Sequence, residues 1–128
     1  MLSRNEQLTH NFFRHEFEED GYDMRIHRRI PMLCQNVRNA IGRPLYITSG
    51  VRSPEKNNLV GGSPNSSHLT GLAVDISTNT VGAPMEPAIR FTIIQTLLEL
   101  RVRRIGIANN FIHFDIDENK AQDVIWTY

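Results

Sequence analysis

The chain has 128 residues, the size of one domain, and its 40% hydrophobic and 22% charged residues supply a core and argue against disorder. Fourteen Lys and Arg balance fourteen Asp and Glu, so no net positive field exists to grip nucleic acid or an anionic membrane surface non-specifically. No apolar run approaches the ~18 residues of a membrane span, and residues 1–6 lack the apolar stretch of a secretory signal. Neither nucleic-acid binding nor membrane insertion is expected, and synthesis in the cytoplasm without a signal peptide is.

In chain order, the first periodic segment runs from about Tyr22 to Ile41. Ile26, Ile30, Leu33, Val37 and Ile41 follow one another at spacings of four, three, four and four, a helical stripe closed by Gly42, with a kink expected at Pro31. The single cysteine, Cys34, lies among Met32, Leu33 and Val37 and reads as a small core residue; alone, it excludes an internal disulfide. Leu45 to Thr48 is a strand, and Ser53-Pro54 opens a short helix that Gly61-Gly62 ends. Residues 61–71 form a loop leading into a buried strand, Leu72 to Ile76, that carries one carboxylate, Asp75.

A further helix is predicted from about Met85 to Leu100, with Pro87 in its first turn. Arg104 to Ala108 and Phe111 to Asp117 read as a hairpin turned by Asn109-Asn110, a dipeptide that tolerates positive φ. Val124 to Tyr128 adds an edge strand or packs its aromatics on the core. The fold class expected is α+β, a small antiparallel sheet covered by helices. The clusters Arg25, Arg28, Arg29 and Arg101, Arg103, Arg104 read as a solvated helix face and strand margin.

His10, His15 and His27 lie in charged or N-terminal segments without ligand-type partners and read as surface residues. His68 and His113 differ, each having an Asp close by in an apolar context. From Ser66 to Asp75 a loop delivers an imidazole, Gly71 permits a tight bend, and the following strand returns a carboxylate. From Phe111 to Asp117, strict alternation sets Phe111, His113, Asp115 and Asp117 on one face and Ile112, Phe114 and Ile116 on the other. Two His and one Asp with a fourth position left for water suit catalytic zinc. Hydrogen-bonded His-Asp pairs without a metal would leave the same pattern, and spacing does not separate the two.

Three strings go further. Ile47-Thr48-Ser49-Gly50-Val51-Arg52-Ser53-Pro54, then Val60 to Ile76 containing Ser66-Ser67-His68-Leu69-Thr70-Gly71-Leu72-Ala73-Val74-Asp75, then Ile105-Gly106-Ile107 with Phe111-Ile112-His113-Phe114-Asp115 resemble the zinc D-Ala-D-Ala carboxypeptidase family. That group includes peptidoglycan endopeptidases, many of them phage endolysins, the vancomycin-resistance dipeptidases and the zinc-binding domain of hedgehog. The resemblance covers about residues 13–128. It implies one zinc peptidase domain over 1–128, with 1–12 an N-terminal extension, and a hedgehog/D-Ala-D-Ala-peptidase-like fold.

It also implies Zn2+ held by His68, Asp75 and His113. Arg52 is implied as the cation that binds the substrate carboxylate or polarises the scissile carbonyl; its structural alternative is anchoring the Ser53 to Val60 helix. Ser66 either contacts substrate or caps its loop. Many members place a Glu three residues before the last histidine, where this chain has Asn110, so Asp115 is the nearest acid on that face, as general base or as orienter of a ligand; Asp117 is expected to be solvated. The implied activity is hydrolysis of a peptide bond in peptidoglycan stem peptides, as endopeptidase or D,D-carboxypeptidase, by a monomer reaching the wall after phage or prophage lysis. The competing expectation is a non-catalytic zinc-stabilised binding or virion structural module of the same fold.

Overall fold

A computed structural model describes residues 3–79 and 84–128. In chain order come helix α1 (Arg29–Ile41), strand β1 (Tyr46–Ser49), helix α2 (Pro54–Leu59), strand β2 (Ala73–Ser77), helix α3 (Pro87–Glu99) and strands β3 (Arg104–Ile107), β4 (Ile112–Asp115) and β5 (Val124–Thr127). Short 3-10 turns, Arg14–Glu16 and Ser67–Thr70, precede α1 and β2. The strands form one sheet in the order β1-β2-β4-β3-β5. Among the described residues no helix is long and apolar enough to cross a membrane.

The α+β architecture follows from alternation in the central strands. Val74 and Ile76 of β2, Ile105 of β3, and Ile112 and Phe114 of β4 are fully buried in one core with Ile30, Leu33, Cys34 and Val37 of α1 and Ile93 and Leu97 of α3. Each such side chain contributes about 1.5–3 kcal/mol by leaving water. The same alternation turns Asp75, His113 and Asp115 to the opposite face of β2 and β4. Register fixes the result, because Asp75 pairs directly with His113, Val74 with Phe114 and Ile76 with Ile112.

Several elements differ from the sequence expectation. Helix α1 begins at Arg29 rather than near Tyr22, so Pro31 sits in its first turn, where no intrahelical N–H is needed. A helix starting at Tyr22 would drive the Pro31 ring into the His27 carbonyl; residues 22–27 instead run irregularly, and the His27 N–H donates to the Gly71 carbonyl at 2.8 Å. Gly42 does close α1, at φ 66 with its N–H on the Arg38 carbonyl. Asn109 and Asn110 turn the β3–β4 hairpin without positive φ, the Asn109 carbonyl accepting from the Met85 N–H and from Arg90 Nη2.

The sheet is antiparallel except at one edge. Beyond β4 the chain crosses to the far side of β3, and β5 pairs with β3 in parallel. Asp123 makes the entry at φ 60, and its two carboxylate oxygens each accept from Arg103 at 2.7 Å. Ahead of α1, Gln7 bridges to Phe13, and Phe12 lies in the core beside Phe17, ring centroids 5.7 Å apart.

Candidate metal centre

His68 is carried by the 3-10 turn Ser67–Thr70. The Ser66 hydroxyl accepts the His68 N–H at 3.2 Å, and Gly71 ends the turn at φ 74. A Cβ at Gly71 would come 2.2 Å from the Arg25 carbonyl oxygen, so this bend requires glycine twice over, for conformation and for space. The ring is then fixed from behind, Nδ1 lying 2.7 Å from the Gly50 carbonyl oxygen. A carbonyl only accepts, so Nδ1 donates to it, and Nε2 is the nitrogen that faces Asp75 Oδ1 at 3.2 Å.

His113 reaches the same oxygen from the neighbouring strand, with Nδ1 2.9 Å from Asp75 Oδ1. Its other nitrogen, Nε2, meets Asp115 Oδ2 at 2.7 Å. The second oxygen of Asp115 accepts from Arg104 Nε at 2.7 Å and from the Asp117 N–H at 3.2 Å. Asp75 keeps its second oxygen for Arg52, whose Nη2 donates at 3.2 Å.

The electrostatics follow from these partners. Burial pushes the Asp75 pKa up, but hydrogen bonds from His113 and His68 and their nearby charge outweigh it and bring it down to about 2. Burial likewise pushes the Asp115 pKa up, but His113, Arg104 and the Asp117 N–H outweigh it and leave it lowered. For His113 the burial effect disfavours charge, yet carboxylates against both nitrogens raise its pKa overall.

His68 Nε2, Asp75 Oδ1 and His113 Nδ1 thus converge, all three residues buried and one ligand atom from each within 4.8 Å of the others. In place of the protons that now join them, a cation could be held by all three. Because Gly50 and Asp115 occupy the outer nitrogens of both rings, the inner faces are left for that cation. Two imidazoles and a carboxylate match the zinc donor set, and a hydrogen-bonded outer nitrogen is the usual companion of a ligating histidine.

Above the cluster lies a cleft of about 430 Å3. Arg52 and Ser66 both line it, as expected, and each also serves the scaffold. Arg52 donates from Nε to Ser49 Oγ at 2.8 Å and from Nη1 to Asn57 Oδ1 at 3.3 Å, tying down α2, and two of its five N–H bonds remain for a ligand. Ser66 caps the turn that holds His68. Asn110 does not line the cleft.

Asp117, expected in solvent, is buried: Ser67 Oγ donates to its Oδ2 at 2.7 Å, and Lys120 Nζ donates to Ser67 Oγ at 2.8 Å and to the Asn65 carbonyl at 2.7 Å. The sequence reading gave two residues no part in the site, placing Arg104 in a solvated cluster and Trp126 in an edge strand or against the core. Arg104 is mostly buried against Asp115, and Trp126 packs on His113 with centroids 5.4 Å apart while the Arg104 guanidinium carbon lies 5.1 Å from its ring centre. The available signal was Gly106. A glycine inside a strand marks close approach, and a Cβ there would come 2.6 Å from Trp126 Nε1.

Among proteins of known family, residues 6–115 match the model for Peptidase M15, a span that contains His68, Asp75, His113 and Asp115. None of the curated proteins compared matches the chain.

Proposed function

The chain belongs to the peptidase M15 family, and from that premise we propose that it is a zinc-dependent peptidase acting on the stem peptides of bacterial peptidoglycan. The observation that carries this reading is the convergence of His68 Nε2, Asp75 Oδ1 and His113 Nδ1, each aimed by a partner on its far side. Held by these three residues, zinc supplies Lewis acidity and lowers the pKa of water toward neutrality.

The remaining chemistry belongs to the protein. Arg52 presents its two uncommitted N–H bonds to the substrate carboxylate or to the carbonyl oxygen as negative charge develops there. Asp115 acts as orienter rather than proton acceptor, since both oxygens are occupied; it keeps the proton of His113 on Nε2 and Nδ1 available. Ser66 sets the turn that presents His68. Arg52, Arg104 and Lys120 outnumber the two cleft carboxylates, Asp75 and Asp115, which favours an anionic peptide despite the neutral chain. One wall of the cleft is the short segment Gly61-Gly62-Ser63, which favours an open groove and an endopeptidase reaching the wall after lysis of the producing cell.

A second reading, a zinc-stabilised binding module, is favoured by one observation. Among the described residues lining the cleft, no carboxylate is left uncommitted to accept a proton. Incubation of the zinc-loaded protein with defined muropeptides, followed by mass spectrometry of the products, separates the two. Cleavage that stops with chelator and is absent in His113→Ala supports the peptidase; tight zinc binding without any cleavage supports the module.

A further inference from the structure

Resting on the metal reading above, we propose that Arg104 is a positioning residue for the metal centre, acting on His113 through Asp115. Arg104 touches none of the three converging ligand atoms. Its Nε donates to Asp115 Oδ1 at 2.7 Å, which leaves Oδ2 as the oxygen that meets His113 Nε2 at 2.7 Å. Without that grip the carboxylate is free to rotate about its Cβ–Cγ bond, and the hydrogen bond that sets the imidazole plane rotates with it.

The guanidinium is itself fixed on two further sides. Nη1 donates to the Ala121 carbonyl at 2.6 Å, and the indole of Trp126 lies over its central carbon at 5.1 Å. Trp126 in turn bears on the His113 ring, in space left by Gly106, which lies opposite His113 in the sheet register. Arg104, Asp115, His113 and Trp126 therefore close a ring of contacts across β3, β4 and β5. The Asp115 side chain within it is almost wholly buried, where a carboxylate depends on a paired charge. Arginine fits this place better than lysine, because one planar fork satisfies the carboxylate and the Ala121 carbonyl while offering a flat face to the indole.

The test is zinc affinity, measured by competition with a chromophoric chelator, together with the visible spectrum of the cobalt-substituted protein. Circular dichroism establishes that each variant is folded. Arg104→Gln is expected to weaken zinc binding by up to the roughly 10- to 100-fold that losing the outer partner of a ligating histidine costs, and to alter the cobalt spectrum. Because Arg104 acts through Asp115, the double variant Arg104→Gln/Asp115→Asn is expected to bind no more weakly than Asp115→Asn alone.

Wild-type affinity in folded Arg104→Gln, or fully additive losses in the double variant, overturns the proposal. Should the glutamine variant not fold, Arg104→Lys carries the test: its affinity is expected between those of wild type and Asp115→Asn, and equality with wild type overturns the proposal. A wild-type protein that binds no zinc instead overturns the metal reading on which this one rests.

Discussion

His68 and His113 face the same oxygen of Asp75, yet one rides on a four-residue 3-10 turn held by backbone groups and the other sits on the central strand of the sheet, steadied by charged side chains. The turn depends on sterics. It needs a left-handed glycine at 71, a serine cap at 66 and the Gly50 carbonyl behind the ring. The strand depends on register and on a chain of ions, from Arg104 to Asp115 to His113. The two mounts should therefore fail in different ways, one mainly as lost stability and the other mainly as lost metal affinity.

The largest effect is expected at the shared metal face. His113→Ala removes a ligand and should lower zinc affinity beyond the roughly 100-fold that the loss of a ligand's partner costs, while circular dichroism remains native because the side chain points away from the core. Gly71→Ala attacks the turn. Left-handed backbone at alanine costs about 1–2 kcal/mol, the contact with the Arg25 carbonyl adds to it, and a thermal melt should shift down by several degrees at least.

Asp115→Asn attacks the strand mount. Zinc affinity should fall roughly 10- to 100-fold, with a smaller change in melting temperature than Gly71→Ala produces; the reverse order would remove the distinction between the mounts.

Acid should act through the same strand. The pKa of His113 is raised in the metal-free chain, so its proton competes with the metal at a higher pH than a free imidazole would. Zinc affinity is expected to decline as pH falls through that raised pKa, and in Asp115→Asn the decline should move to lower pH, which a titration of affinity against pH measures. The smallest effect belongs to Ser66→Ala, which removes a single cap and should cost at most about 1 kcal/mol in a denaturant melt.

How far the sequence discloses this centre also divides along the two mounts. Local features were legible: the loop that delivers His68, the bend at Gly71, the cap at Gly42, and the alternation that sets His113 and Asp115 against Ile112 and Phe114. What hid were pairings between distant positions. Arg104 read as part of a solvated cluster because nothing near it in the chain reveals that Asp115 lies beside it. Asp117 read as solvated because its partner, Ser67, is 50 residues away. The parallel course of β5 depends on a left-handed Asp123 stabilised by Arg103, a conformation that residue type alone does not announce. Pro31 misled in the opposite sense, since a proline that would break a long helix begins a shorter one comfortably.

The pairing of β2 with β4 has a consequence for how the chain reaches its native state. Asp75 faces His113 in the same register that brings Val74 to Phe114 and Ile76 to Ile112. A slip of one residue would turn the histidine inward and bring two large apolar side chains out. Mispaired chains would thus lose their ion-holding geometry together with their oily interior, so capture of a divalent ion during refolding would select correctly zipped molecules and leave the mispaired ones empty-handed.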